Sequence, residues 1–169
     1  MSVNSTIKGR VSGLIPDDWF EGPADVTIDR DEILIIGRIP APATEGLDEA
    51  AVEEAITTRI GVWRGETRDA RIRVAGSLER EFERKVSWGV RCGEHEELFT
   101  ILAAPAMTRL RMDERRVLDT LIAGGVARSR SEALAWCVRL VGKHEGDWLR
   151  ELRDALGRVG EVRAQGPQA

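Results

Sequence analysis

Few residues of this chain have the types and spacing for reactive chemistry. There are two histidines, His95 and His144, two cysteines, Cys92 and Cys137, and no tyrosine. Cys92-x-x-His95 has the spacing of two metal ligands, but a structural zinc needs four. Cys137 falls on the buried face of an expected helix and His144 just beyond it, so they do not complete the set. Cys92 is better explained as a small apolar strand residue and His95 as a loop residue. The phosphate-cradling patterns G-x-x-x-x-G-K-[ST] and G-x-G-x-x-G are absent, and no pair of carboxylates has a spacing that singles out an acid and a base. The expectation is therefore a protein that is not an enzyme, with no cofactor and no metal.

The chain has 169 residues and 42 % hydrophobic content, enough for one or two small domains. No apolar run approaches the ~20 residues of a membrane span, and the first residues lack the order of a signal peptide. With two separated cysteines, this predicts a cytoplasmic protein with no membrane association. The net charge of −4 hides an asymmetry. Residues 1–100 carry 13 basic and 20 acidic side chains, residues 101–169 carry 12 and 9. An acidic front and a basic back suit a regulatory domain joined to a nucleic-acid-binding one. Arginine makes up 22 of the 25 basic residues, the bias of a GC-rich bacterial genome, so arginine placement counts for more here than arginine number.

Placement is most regular between Pro105 and Val141. Met107 to Met112 alternates, with Thr108, Leu110 and Met112 on one face and Met107, Arg109 and Arg111 on the other, which predicts a short strand. Asp113 can cap a helix with the apolar stripe Val117, Leu118, Leu121 and Ile122, stopped by Gly124-Gly125. Ser129 with Glu132 forms an S-x-x-E capping box that opens a second helix. This order of strand, helix, glycine turn, Ser-Arg-Ser-Glu-Ala and apolar helix resembles the ribbon-helix-helix DNA-binding family (the MetJ, Arc and CopG group), over about residues 105–141. A helix-turn-helix fits less well, because its turn of ~3–4 residues is shorter than Gly124 to Ser129.

The resemblance implies a homodimer, or a higher oligomer, in which two chains pair their strands into a ribbon that enters the major groove of double-stranded DNA. It assigns base contacts to Met107, Arg109 and Arg111, and phosphate contacts to Arg128, Ser129, Arg130 and Ser131 at a helix start. A sequence-specific transcriptional regulator is the expectation. The alternative is an interaction or scaffold protein in which the module only dimerises and the front domain binds a protein, RNA or ribosome partner.

The elements that would position these residues follow from the rest of the chain. Thr6–Val11 reads as a short strand, and Trp19-Phe20 as a core anchor. Residues 24–29 and 32–39 read as a hairpin whose second, nearly all-apolar strand is central in its sheet. Asp48–Ile60 is helical, interrupted by Gly61 and Gly65, and a second helix runs from about Glu66 to Arg84. Its exposed face, with Arg68, Asp69, Arg71, Arg73, Glu79, Arg80, Glu81 and Glu83, reads as a solvated face with weak ion pairs, the alternative being a functional basic stripe on Arg64, Arg68 and Arg71. Residues 86–92 and 98–102 form another expected hairpin. The expected fold is α+β: residues 1–103 form an antiparallel sheet with helices on one face, and residues 104–164 a ribbon-helix-helix module with a further helix from about Trp148 to Val159. Residues 165–169 are expected to be a disordered tail.

Overall fold

The computed structural model describes residues 3–165. The chain forms two compact units, Met1–Pro105 and Ala106–Ala169. It is a mixed α and β protein with a four-stranded sheet and six helices among the described residues.

The first unit opens with α1 (Val3–Leu14) and not the expected strand. Thr6, Ile7 and Val11 suggested a strand by residue type, but Ile7 and Val11 are four apart and both are buried, so the helical period decides. Strand β1 (Asp25–Ile28) pairs antiparallel with β2 (Glu32–Ile39). The turn takes in Asp29, whose Oδ1 accepts from the N–H groups of Asp31 and Glu32 at 2.8 and 2.7 Å. Strand β2 is internal, flanked by β1 and β3 (Lys85–Cys92). It pairs with β3 in parallel, so the sheet is mixed and the expectation of an antiparallel sheet is corrected. The reason is the connection: α2 and α3 intervene between β2 and β3 and return the chain to the same end of the sheet. The last strand, β4 (His95–Leu98), turns back tightly at Gly93, whose φ is +61°, and pairs with β3. It thus includes His95 to Glu97, expected as a loop, and stops before the 99–102 stretch expected as a strand.

Asp48 caps α2 (Glu49–Glu66) by accepting the Ala51 N–H at 2.9 Å. The helix runs through Gly61 and Gly65. Each glycine costs about 1 kcal/mol against alanine, but the neighbouring Ile60 and Trp63 are packed into the core. The break comes at Thr67, whose hydroxyl donates to the Trp63 carbonyl at 2.7 Å, and α3 (Arg68–Phe82) follows.

Side chains from α1, α2 and α3 pack against Ile33, Ile35 and Ile39 of β2 and Val86, Trp88 and Val90 of β3, which all face one side of the sheet. Five rings interlock there. Trp19 meets Trp63 and Trp88 edge-on at 5.8 and 5.9 Å, and Phe20 stacks on Trp63 at 5.5 Å. Phe99 completes the group, 5.9 Å from Trp63. Trp19-Phe20 is therefore the core anchor expected. Arg71, expected on the solvated face, is buried: its guanidinium lies 5.6 Å from the Trp63 ring and 4.9 Å from Phe99. It donates to the Thr67 hydroxyl and the Arg64 carbonyl at 3.0 and 2.7 Å. Burial, with Arg64 and Arg68 nearby, pulls its pKa down.

The second unit contains α4 (Met112–Ala123), α5 (Arg130–His144) and α6 (Gly146–Gln165). Its small core is Leu118, Ala127 and Ala133, with Leu110, Leu121, Ile122, Leu134 and Cys137 packed around it. Gly124 ends α4 and Gly125 adopts φ +74°, the left-handed turn that glycine takes without strain. The third helix is longer than the sequence suggested, reaching Gln165, the first residue of the expected tail; residues 166–169 lie outside those described.

Candidate nucleic-acid interface

Residues 101–111 belong to no helix or strand of the described chain. Within them, Leu110 turns inward and packs on the Leu118 cluster. Met107, Arg109 and Arg111 are exposed, Met107 fully so. That division matches the alternation, but only in part. Thr108 and Met112, expected on the inner face with Leu110, are exposed too, Met112 by 66 %. The inner face is thus uncovered on both sides of Leu110. Arg115, which pattern reading did not single out, braces the segment by donating from Nη1 to the Leu110 carbonyl at 2.6 Å. Neither the Arg109 nor the Arg111 side chain has an ion-pair partner among the described residues.

The cap of α4 differs from the expected one. Arg111 stands at the N-cap with extended backbone, φ −76° and ψ 173°, and Asp113 lies in the first turn. The N–H of Arg111 donates to Glu114 Oε2 at 2.6 Å. An arginine side chain has no acceptor, so the side-chain half of a capping box is missing there. The two acids Asp113 and Glu114 still oppose the positive end of the helix dipole.

At the start of α5 the S-x-x-E pattern forms its cap. Ser129 Oγ accepts the Glu132 N–H at 3.2 Å, and Glu132 Oε2 accepts the Arg128 N–H at 2.9 Å. The glutamate reaches one residue further back than in the simplest box. The backbone N–H groups of Arg130 and Ser131 have no acceptor among the described residues, and Arg128, Ser129 and Ser131 are exposed. This end of α5 offers free donors and a positive dipole. Arg130 does not extend it freely. Its guanidinium is bound fork-to-fork by Asp119 of α4, with both bonds at 2.8 Å. The pair holds the Asp119 carboxyl below its ordinary range and raises Arg130. Asp119 and Arg130 are eleven positions apart on different helices, and no local pattern in the sequence marks them as partners.

Among the described residues no group of three or more His, Cys, Asp or Glu side chains could hold a metal ion. Cys92 is a buried strand residue, as read from the sequence, and burial pushes its thiol pKa up. Cys137 is half-buried. No helix of the described residues is long and apolar enough to cross a membrane.

Both units correspond to recognised families. Residues 5–98 match the family described as the Rv1265-like protein, N-terminal domain, and residues 111–163 match the one described as the Mb1296 C-terminal domain. The chain belongs to the Rv1265-like family. It is 48 % identical over 158 residues to Mb1296 of Mycobacterium bovis, covering 92 % of this chain and 68 % of that protein. The same figures hold for Rv1265 and MT1303 of Mycobacterium tuberculosis. No solved structure matches it.

Proposed function

We propose that this protein is a homodimeric, sequence-specific DNA-binding protein, a transcriptional regulator whose second unit acts as a ribbon-helix-helix module. The observation that supports this best is the segment 107–111. It lies outside every sheet of the chain, with Leu110 on the α4–α5 core and Met107, Arg109 and Arg111 pointing to solvent. Arg115 and Glu114 already engage the Leu110 carbonyl and the Arg111 N–H, and antiparallel pairing with a second copy would satisfy the remaining backbone donors and acceptors of the segment. The two-stranded ribbon so formed fits the major groove, and each outward arginine can bond bidentately to guanine for ~1–3 kcal/mol of discrimination. Met107 then meets a thymine methyl. Exposed Thr108 and Met112 are covered in the dimer by the opposite chain. Ser129, Ser131 and the free N–H groups beside Arg128 clamp phosphate, while Arg130 keeps the clamp's helix registered on α4 through Asp119.

The test is a random-site selection with wild type and the Arg109→Ala, Arg111→Ala double variant, paired with a mass measurement. Wild type yields a preferred sequence and loses affinity with salt at a slope of ~−0.9 per neutralised phosphate. The double variant stays dimeric and loses the preference. A preference that survives both substitutions overturns the base-reading role. Absence of DNA binding even at low salt favours the alternative, in which the module only dimerises and the first unit carries the partner site. The Asp119–Arg130 lock supports that alternative, since it occupies one of the cations otherwise available to phosphate.

A further inference from the structure

The helix α6 has no counterpart in the strand and two helices of that module, and it carries a stripe that its own chain leaves open. Trp148, Leu152, Leu156 and Val159 are 57, 44, 61 and 48 % exposed. Trp148, Leu152, Ala155 and Val159 follow one another at intervals of four, three and four, the seam spacing of a coiled coil. Leu149 and Leu156 flank the seam on one side, Glu151 and Arg158 on the other. Asp147 pairs with Arg150 in the first turn, whereas Glu151 and Arg158 have no ion-pair partner among the described residues. Gly157 faces away from the seam with nothing near it.

We infer that this stripe is covered by α6 of a second copy of the chain, running antiparallel. Three features choose that occupant and that direction. In the antiparallel pair Trp148 faces Val159 of the second copy and Leu152 faces its Ala155, so each layer sets a large side chain against a smaller one. A parallel pair would stack Trp148 on Trp148 and leave an Ala155–Ala155 layer hollow. On one flank, the antiparallel register brings Leu149 against Leu156. On the other it brings Glu151 against Arg158, and the two-fold axis repeats both contacts. The parallel register instead places Arg158 beside Arg163, a like-charge contact that opposes it. The sequence of α6 is thus complementary to itself in one direction. The seam adds a contact between copies that the ribbon does not make, and it does not rest on DNA binding.

The experiment is a charge exchange read by sedimentation of the full chain without DNA, over a concentration series. Glu151 and Arg158 are seven residues apart on one helix and cannot touch each other, so any coupling between them arises between chains. Glu151→Arg alone and Arg158→Glu alone each set like charges face to face twice, and each weakens the most labile association step about tenfold. The double exchange restores the pairing and returns that step to within about twofold of wild type. Leu152→Glu, an exposed position whose change leaves the fold intact, abolishes the step. Failure of the double variant to recover, or self-association indifferent to the single exchanges and to Leu152→Glu, overturns the inference. The Arg109→Ala, Arg111→Ala variant gives the same exchange result, which separates this outcome from that of the DNA-reading proposal.

Discussion

Replacing Gly37 with alanine drives a methyl group into the Phe20 ring. A Cβ built at Gly37 stands 2.2 to 2.3 Å from three atoms of that ring. Carbon atoms in contact sit about 3.5–4.0 Å apart, so the ring must withdraw by more than about 1 Å. It has no free space to enter, because its far side is stacked on Trp63 at 5.5 Å and its edge meets Trp19. Strand β2 is held there by the pairing of Gly37 with Val90 of β3. Overpacking of this kind costs about 1–3 kcal/mol, and disturbing the ring pairs adds about 0.5–1.5 kcal/mol. For a unit near a hundred residues this lowers the melting temperature by roughly 7–20 °C. Calorimetry of the full chain measures it. Phe20→Leu supplies the control: with the ring gone the methyl group has room, so Gly37→Ala costs much less in that background. A shift below about 2 °C in the wild-type background, or strict additivity of the two changes, refutes the close approach of Gly37 to Phe20.

Two further outcomes follow from the titrating and reactive groups. Arg130 holds the Asp119 carboxyl low, so the pair stabilises the second unit above the ordinary aspartate value of ~4 and its contribution fades as pH falls through the lower folded value. Thermal melts of wild type and Asp119→Asn therefore differ at neutral pH and converge in acid; a difference constant with pH contradicts the pair. Cys92 is fully buried with a raised pKa, so iodoacetamide labels Cys137 first and reaches Cys92 only on unfolding, which mass spectrometry reads directly. Equal labelling rates in the native protein would show that β3 is open at that end.

What was legible in the sequence was mostly local. Asp48, Ser129 with Glu132, and Gly124-Gly125 mark helix ends because the chemistry of a cap lies within a few residues of it. The near-continuous run Ile33 to Ile39 marks an inner strand for the same reason. The direction of β2 against β3 is set by what two helices do between them, and the residues of the strands do not encode it. At α1 the β-branched residues pointed one way and the spacing of Ile7 and Val11 the other. The glycines of α2 yield to burial of Ile60 and Trp63, which is a property of the whole core. Arg71 is buried because Trp63 and Phe99, from distant parts of the chain, bring their faces to it. At the candidate interface, the exposure of Met107, Arg109 and Arg111 and the inward turn of Leu110 were readable, but the strand expected over Met107–Met112 is not formed: 107–111 has no regular structure and Met112, exposed, begins α4. The locking of Arg130 by Asp119 was not, since it depends on how α4 and α5 pack.

The parallel pairing of β2 with β3 also sets the order in which the chain can fold. Glu32 meets Lys85 and Ile39 meets Cys92, so every rung of the central ladder closes a loop of roughly fifty residues. The second unit has no such debt: its helices contact their neighbours in sequence, α4 with α5 and α5 with α6. High contact order slows the first unit relative to the second. During synthesis the first unit cannot complete its ladder until Cys92 has emerged, only some twenty residues before α4 begins. The slow domain is thus made first and the fast one last. Until that ladder closes, the open strand edges of the first unit are the surfaces most prone to mispairing.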